Sequence, residues 1–222
     1  MDDISIKLQQ IVEDLATAIL KRSSEKNGER ILVAIAGPPG AGKSTISHLL
    51  CQRLNVTTTQ PMTTIVPMDG FHLDNCILRE RNQLARKGSP PTFDVEGFRV
   101  LLTRLKSRET GSQDIVIPVF DRTLDLARAG GSVVQSDHNI LLVEGNYLLL
   151  NQVPWNALSE YFDMSIFVQA SRPVLEQRLI QRWLDNDHTQ EQAIRRALSN
   201  DIPNAIFTLD HSSKATITID NE

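Results

Sequence analysis

The chain has 222 residues, 41% of them hydrophobic and 23% charged, which suits one sizeable α/β domain and is short for two. A net charge of −4 gives no basic footprint for nucleic acid or an anionic membrane, and no apolar run approaches the ~18 residues of a membrane span. Asp2, Asp3, Glu13 and Asp14 oppose a cationic leader, and Cys51 and Cys76 make neither a disulfide framework nor a metal spacing, so a cytoplasmic protein with reduced thiols is expected.

Taken in chain order, residues 3–26 place Ile4, Leu8, Ile11, Val12, Leu15 and Ile19 at helical spacing, with Asn27-Gly28 closing the segment. This predicts a helix over about 3–27 that packs across the outside of the core and carries no chemistry. Four β-branched, apolar runs follow: Ile31–Ala36, Thr64–Met68, Ile140–Val143 and Ser165–Val168, with a weaker fifth at Ala215–Ile219. Helical patterns lie between them at roughly 43–54, 95–107 and 172–184. Such alternation implies a mostly parallel sheet with helices on both faces, and in such sheets ligands bind beyond the carboxyl ends of the strands. Two stretches break the pattern. Residues 110–138 hold Ile115–Phe120 and a Gly130-Gly131 pair read as a turn, and are expected to project from the sheet edge. Residues 185–204 are polar, with Thr189-Gln190-Glu191-Gln192 reading as a capping box for another helix. Both stretches are candidates for covering a substrate.

The strongest motif follows the first strand directly. Gly37-Pro38-Pro39-Gly40-Ala41-Gly42-Lys43-Ser44-Thr45 matches G-x-x-x-x-G-K-S/T in full and opens a helix whose stripe is Ile46, Leu49, Leu50 and Leu54. The glycines let backbone N–H groups turn inward on phosphates, and the helix N-terminus adds partial positive charge. Lys43 can reach the β- and γ-phosphates, and the Ser44 hydroxyl can bind Mg²⁺. The motif shows nucleotide binding but not the reaction. An N-K-x-D guanine motif and an L-S-G-G-Q signature are both missing from the sequence.

Acidic residues at strand ends narrow the chemistry. Ile65–Met68 runs into Asp69-Gly70-Phe71-His72, so Asp69 emerges where phosphates are expected. There it can take an acceptor's proton; it can equally be a turn aspartate before glycine. His72 is singled out only by standing beside it. Ile140–Val143 ends in Glu144-Gly145, which suits a ligand of the Mg²⁺ shell or a surface glutamate closing a strand. Asp94 precedes a helix striped by Phe98, Leu101, Leu102 and Leu105, and is an N-cap, a substrate contact, or both. Arg178 and Arg182 lie four apart on one helix and share a face, from which a guanidinium can meet the charge of a transferring phosphoryl group. Arg195 and Arg196 follow in the next helix, where a solvated face is the plainer reading.

Six motifs occur in order: Gly37–Thr45, Met68–Asp74, Arg86–Asp94, Pro118–Arg122, Val143–Leu148 and Asn200–Asn204. Together they resemble the phosphoribulokinase/uridine kinase/pantothenate kinase superfamily, over roughly residues 30–220. The likeness is greatest to a bacterial branch of nucleoside/nucleotide kinase-like proteins that carries a fructose transport system kinase label. The resemblance implies an α/β, adenylate-kinase-like P-loop fold with a five-stranded parallel core, ATP and Mg²⁺ as cofactors, and a lid over about 178–200. It implies Asp69 as base, Glu144 as the acid of the E-G motif, Arg182 as the lid arginine and Asp94 as a substrate contact. Asn146 and Tyr147, in the same motif as Glu144, are placed with His72 and Arg122 on the substrate side. Uridine kinases follow P-x-Y-D with a His and an Arg, whereas here Asp121 continues as Arg122-Thr-Leu-Asp-Leu-Ala without that His. Arg122 and Arg128 could suit an acidic or phosphorylated acceptor. The expected function is transfer of the γ-phosphoryl group of ATP to a hydroxyl of a sugar, nucleoside or vitamin-like molecule. The rival is an ATP-binding regulatory protein that needs no acceptor. Oligomeric state is left open.

Overall fold

The computed structural model describes residues 3–56, 62–107 and 113–222, with the side chains of Asp3, Ile4 and Ser5 excepted. The expected contact of Ile4 and the start of the excursion at 110–112 therefore lie outside the described residues.

The chain opens with α1 (Asp3–Glu25), then β1 (Ile31–Ala36), α2 (Lys43–Asn55) and β2 (Thr63–Pro67). A 3-10 turn (Met68–Phe71) and the short α3 (Asn75–Glu80) lead to α4 (Val95–Lys106). An antiparallel hairpin of β3 (Ile115–Asp121) and β4 (Leu126–Val134) precedes β5 (Ile140–Glu144). The chain closes with β6 (Met164–Gln169), α5 (Arg172–Leu184), α6 (Gln190–Arg196), a π-helical turn (Ala197–Asp201), α7 (Ile202–His211) and β7 (Ile217–Asp220). Five strands form one parallel sheet in the order β2-β5-β1-β6-β7.

Strand β1 is central and all six of its residues are buried, as its unbroken apolar run requires. Successive side chains point to opposite faces. Ile31, Val33 and Ile35 therefore join a core with α1, α2, α5 and α7, while Leu32, Ala34 and Ala36 join another with α4, Tyr147 and Trp155. The expected α1 stripe is buried at Val12, Leu15 and Ile19, and Arg53 of α2 meets Glu13 of α1 at 2.6 Å. Arg30, just before β1, sends its buried guanidinium to the carbonyls of His138 (2.8 Å), Gln135 (3.0 Å) and Leu105 (3.3 Å). That planar set of donors ties the end of α4 and the base of the hairpin to the sheet.

Three expectations need correction. Met68 leaves the strand and opens the 3-10 turn, because Pro67 has no N–H to extend the ladder. The last strand starts at Ile217 rather than Ala215, since Ala215 packs on the core instead. Gly130-Gly131 is not the hairpin turn. The reversal is made by Arg122–Asp125, with Asp121 Oδ1 accepting from the N–H groups of Thr123 and Leu124 at 3.1 Å. The glycines lie within β4 at a bulge, where Pro118 alone faces residues 129–131. Proline cannot donate to the ladder, and the extra residues of β4 absorb the break. The capping box is present, Thr189 Oγ1 accepting from Gln192 N–H and Gln192 Oε1 accepting from Thr189 N–H.

Candidate active site

Strand register brings the motifs together. Glu144, the last residue of β5, pairs with Ile35 of β1 on one side and Pro67 of β2 on the other. The loop after β1, the turn after β2 and the end of β5 therefore open side by side at the carboxyl edge of the sheet.

The loop after β1 is wound tightly against β6. Gly37 has φ 140°, and a Cβ there would run into the Val168 carbonyl, so only glycine lets the backbone pass. Helix α2 begins at Lys43, whose side chain is buried and whose Nζ donates to the Pro38 carbonyl at 2.9 Å. Burial pulls its pKa down to about 8, against the carboxylates of Glu144 and Asp69, which favour the ammonium. Ser44 Oγ donates to Glu144 Oε1 at 3.3 Å. The Glu144 carboxyl is pushed up, mainly by burial and further by Asp69, while Lys43 and the Ser44 bond oppose the rise. Burial thus disfavours the charged form of both partners. Each nonetheless supports the other.

Asp69 stands on the 3-10 turn after β2, with Oδ2 3.6 Å from Arg122 Nη2 at the hairpin turn. The hairpin docks this closely because residue 70 is glycine; a Cβ would run into the Pro118 carbonyl. His72 Nδ1 donates to the Asp69 carbonyl at 2.8 Å, and its ring packs between Phe93 (4.1 Å) and Phe120 (4.5 Å). Burial lowers the His72 pKa against the pull of Asp69. On the sequence evidence His72 could only be placed beside Asp69, and the structure shows it bracing the Asp69 backbone.

Around this centre the remaining expected residues take different positions. Asp94 is the N-cap of α4, accepting from Gly97 N–H at 2.9 Å. Asn146 is half-buried just past the end of β5. Tyr147 departs from its expected place on the substrate side. Its side chain is fully buried against Phe93 and Trp155, and its hydroxyl donates to the Gly88 carbonyl. It supports the loop below Asp69 instead of facing a ligand. Arg182 Nη2 lies 3.2 Å from Asp201 Oδ2, and Arg182 is close enough to Lys43 to disfavour its charge. Arg178 Nη1 donates to the Asn221 carbonyl at 2.8 Å, and Asn221 Nδ2 donates to the Ala41 carbonyl at 2.8 Å, tying α5 and the chain after β7 to the glycine-rich loop. Arg195 makes an exposed pair with Glu191, whereas Arg196 lies over the Trp183 ring at 4.9 Å.

Several residues in this neighbourhood had no role assigned from the sequence, although Lys87 and Asp201 lie within the motifs quoted from it. Lys87 Nζ meets Asn75 Oδ1 (2.7 Å) and Asp125 (2.9 Å to Oδ1), holding the hairpin tip. Asp201 takes Trp183 Nε1 at 2.6 Å. Asn221 gave no signal at all, since its partner lies 180 residues earlier.

Ser44 and Glu144 offer a hydroxyl and a carboxylate, hard oxygen donors that fit Mg²⁺, which characteristically fills its shell with water and substrate phosphates. Among the described residues there is no group of three or more His, Cys, Asp or Glu that could hold a metal, so water and phosphate oxygens would complete such a shell. Among the described residues no helix is long and apolar enough to cross a membrane.

A parallel sheet flanked by helices, with a glycine-rich phosphate loop after its central strand and acidic residues at the ends of the next two strands on one side, β5 and β2, defines a P-loop α/β protein with the kinase fold. Residues 32–206 match the model of the Phosphoribulokinase / Uridine kinase family, and the chain belongs to that family. A Schizosaccharomyces pombe protein named "putative uridine kinase" is 32% identical over 188 residues, covering 82% of this chain and 79% of its own length. The pantothenate kinase of Myxococcus xanthus is 30% identical over 164 residues, 71% of this chain but only 51% of that protein. The crystal structure of a "putative fructose transport system kinase" from Silicibacter sp. TM1040 superposes with a TM-score of 0.86 at 39% identity, covering 94% of this chain and 98% of that one. These relatives bear the names of kinases of small molecules.

Proposed function

We propose that this chain transfers the γ-phosphoryl group of ATP to a hydroxyl of a small molecule. The observation that carries the proposal is the convergence of Lys43, the Ser44–Glu144 pair and Asp69 at three adjacent strand ends. Residues 37–45 cradle the phosphates through backbone N–H groups, and Lys43 neutralises charge on the β- and γ-phosphates. Ser44 and Glu144 would hold Mg²⁺, which when bound neutralises phosphate charge and helps align the transferring group. Asp69 orients the acceptor hydroxyl and takes its proton, and Arg182 stabilises charge on the equatorial oxygens. Arg178 lines the nucleotide side. His72, Arg122, Asn146 and, with its capping role, Asp94 border the acceptor side. Residues 1–222 act in this reading as one cytoplasmic kinase domain, with α5–α6 as lid and the hairpin as acceptor cover.

The test is a screen of Mg²⁺-dependent ATP consumption against sugars, nucleosides and vitamin-like alcohols, followed by Asp69→Asn with the acceptor found. Turnover is expected to fall by roughly 10²–10⁴, the usual range for positioned proton transfer. ATP affinity is expected to stay nearly constant. An Asp69→Asn enzyme as fast as the wild type would remove Asp69 as base, and a broad screen in which no acceptor stimulates ATP use would favour the regulatory alternative.

A further inference from the structure

Asn200-Asp201-Ile202-Pro203-Asn204 has no part in the chemistry above, yet it is where the lid meets the acceptor-side loop. Asp201 is 8% exposed, and its Oδ2 accepts from Trp183 Nε1 at 2.6 Å and Arg182 Nη2 at 3.2 Å. The preceding Asn200 donates through Nδ2 to the Lys87 carbonyl at 2.9 Å. One turn later, Asn204 Oδ1 accepts from Arg86 Nη2 at 3.4 Å, and Asn204 Nδ2 donates to Asn200 Oδ1 at 3.4 Å. A single helical turn thus grips the lid arginine with one residue and the loop over residues 86–88 with its neighbours. The backbone there is the π-helical turn Ala197–Asp201, and Pro203 just beyond it has no N–H to return to the carbonyl four residues back. Such wide turns are marginal structures that recur at functional sites.

Two features make the grip exchangeable. The Arg182 side chain is 41% exposed and that of Asp201 only 11%, so the guanidinium is free to swing while the carboxylate stays in place. Asp201 and Arg86 also both act on the Tyr147 hydroxyl, which places them in one electrostatic neighbourhood. Among the described residues, the side-chain partner of Arg86 is the neutral Asn204.

We infer that Asp201 is a positioning residue that holds Arg182 in the free enzyme and yields it to the γ-phosphate of ATP, with Arg86 of the acceptor-side loop replacing it. The inference rests on the nucleotide-binding reading above. A buried carboxylate stripped of its cation is costly. Once the γ-phosphate takes Arg182, Arg86, already bonded to Asn204 in the next helical turn, is the cation that replaces it, and its move onto Asp201 draws the loop that carries Lys87 and Gly88 toward the lid. Nucleotide state is in this way passed to the acceptor side before any acceptor arrives. ADP, which lacks the competing phosphate, leaves Arg182 on Asp201.

Amide hydrogen exchange tests this without knowledge of the acceptor, using the β,γ-imido analogue of ATP and ADP, each with Mg²⁺. In the wild type both nucleotides are expected to protect residues 37–45, but only the analogue to slow exchange over residues 84–94. Asp201→Asn, which keeps an acceptor for Trp183, and the surface change Arg86→Gln are each expected to retain protection of 37–45 and lose the response of 84–94. A response of 84–94 equal for both nucleotides, or persisting in both variants, would overturn the inference while leaving nucleotide binding intact. Absence of protection over 37–45 with either nucleotide would instead overturn the nucleotide reading, and this inference with it.

Discussion

At the scale of single residues, Glu144 shows how burial prepares a side chain for a ligand. Its carboxyl is pushed up by burial and by Asp69, against the opposing pull of Lys43 and the Ser44 hydroxyl. A buried carboxylate gains most from a hard cation, and a neutral amide of the same shape gains little. Glu144→Gln is therefore expected to require a markedly higher Mg²⁺ concentration for half-maximal ATP binding, with metal-free ATP binding little changed. Titrating Mg²⁺ at fixed ATP checks this; superimposable curves for mutant and wild type would make Glu144 purely structural. Asp69, by contrast, is more than a third exposed and lies 3.6 Å from an exposed arginine side chain, which leaves it accessible to an acceptor.

At the scale of elements, α4 separates a structural from a binding role. Its N-cap Asp94 accepts from Gly97 N–H, and its stripe of Phe98, Leu101, Leu102 and Leu105 is buried as a unit. Loss of such a cap costs about 1 kcal/mol, and serine replaces aspartate there at little cost. Asp94→Ala is expected to lower unfolding stability by that amount in urea titration, and Asp94→Ser to restore it. If Asp94 also touches the acceptor, both substitutions raise KM alike whatever their stability. Equal stability of the alanine and serine variants would contradict the capping role.

For the whole molecule, the proposed nucleotide binding would link ligand and stability through Lys43. The folded chain releases the Lys43 proton near pH 8, whereas an unperturbed lysine does so near 10.5. Between those values the unfolded state binds more protons, so the contribution of Lys43 makes the nucleotide-free protein more stable as pH rises through the window. The cost of burying the ammonium is fully present below about pH 8. Phosphates favour that ammonium, so in the proposed reading ATP affinity is expected to run the other way, constant below about pH 8 and falling above it. ATP with Mg²⁺ at a hundred times its dissociation constant is expected to stabilise the fold by about 2.7 kcal/mol at pH 7, by mass action on the folded state. Lys43→Ala is expected to lose most of that gain and the pH dependence of affinity with it. Thermal melts with and without nucleotide at pH 7 and 9 read both effects, and an unchanged melting temperature in millimolar ATP would refute nucleotide binding.

The sequence by itself determined what depends on neighbours along the chain. The apolar run Ile31–Ala36 had to be a buried strand, Gly37–Gly42 had to be a glycine-rich loop opening a helix, and Thr189–Gln192 had to cap one. Asp69 and Glu144 were legible because a strand's end is marked by where its apolar run stops. Register and side-chain direction were not. Lys43, Glu144 and Asp69 converge only because β5 lies between β1 and β2, an order that no local period encodes. Gly130-Gly131 looked like a turn because glycine serves bulges as readily as turns, and Pro118 on the partner strand decided between them. Tyr147 was placed on the substrate side because it shares a motif with Glu144; the apolar run Tyr147–Leu150, buried throughout, shows that it belongs to the core. Asp201, within the motif Asn200–Asn204, gained a role only through Trp183, and Asn221 became visible only through Ala41, because hydrogen bonds across a fold are fixed by how its layers stack and leave no spacing to read.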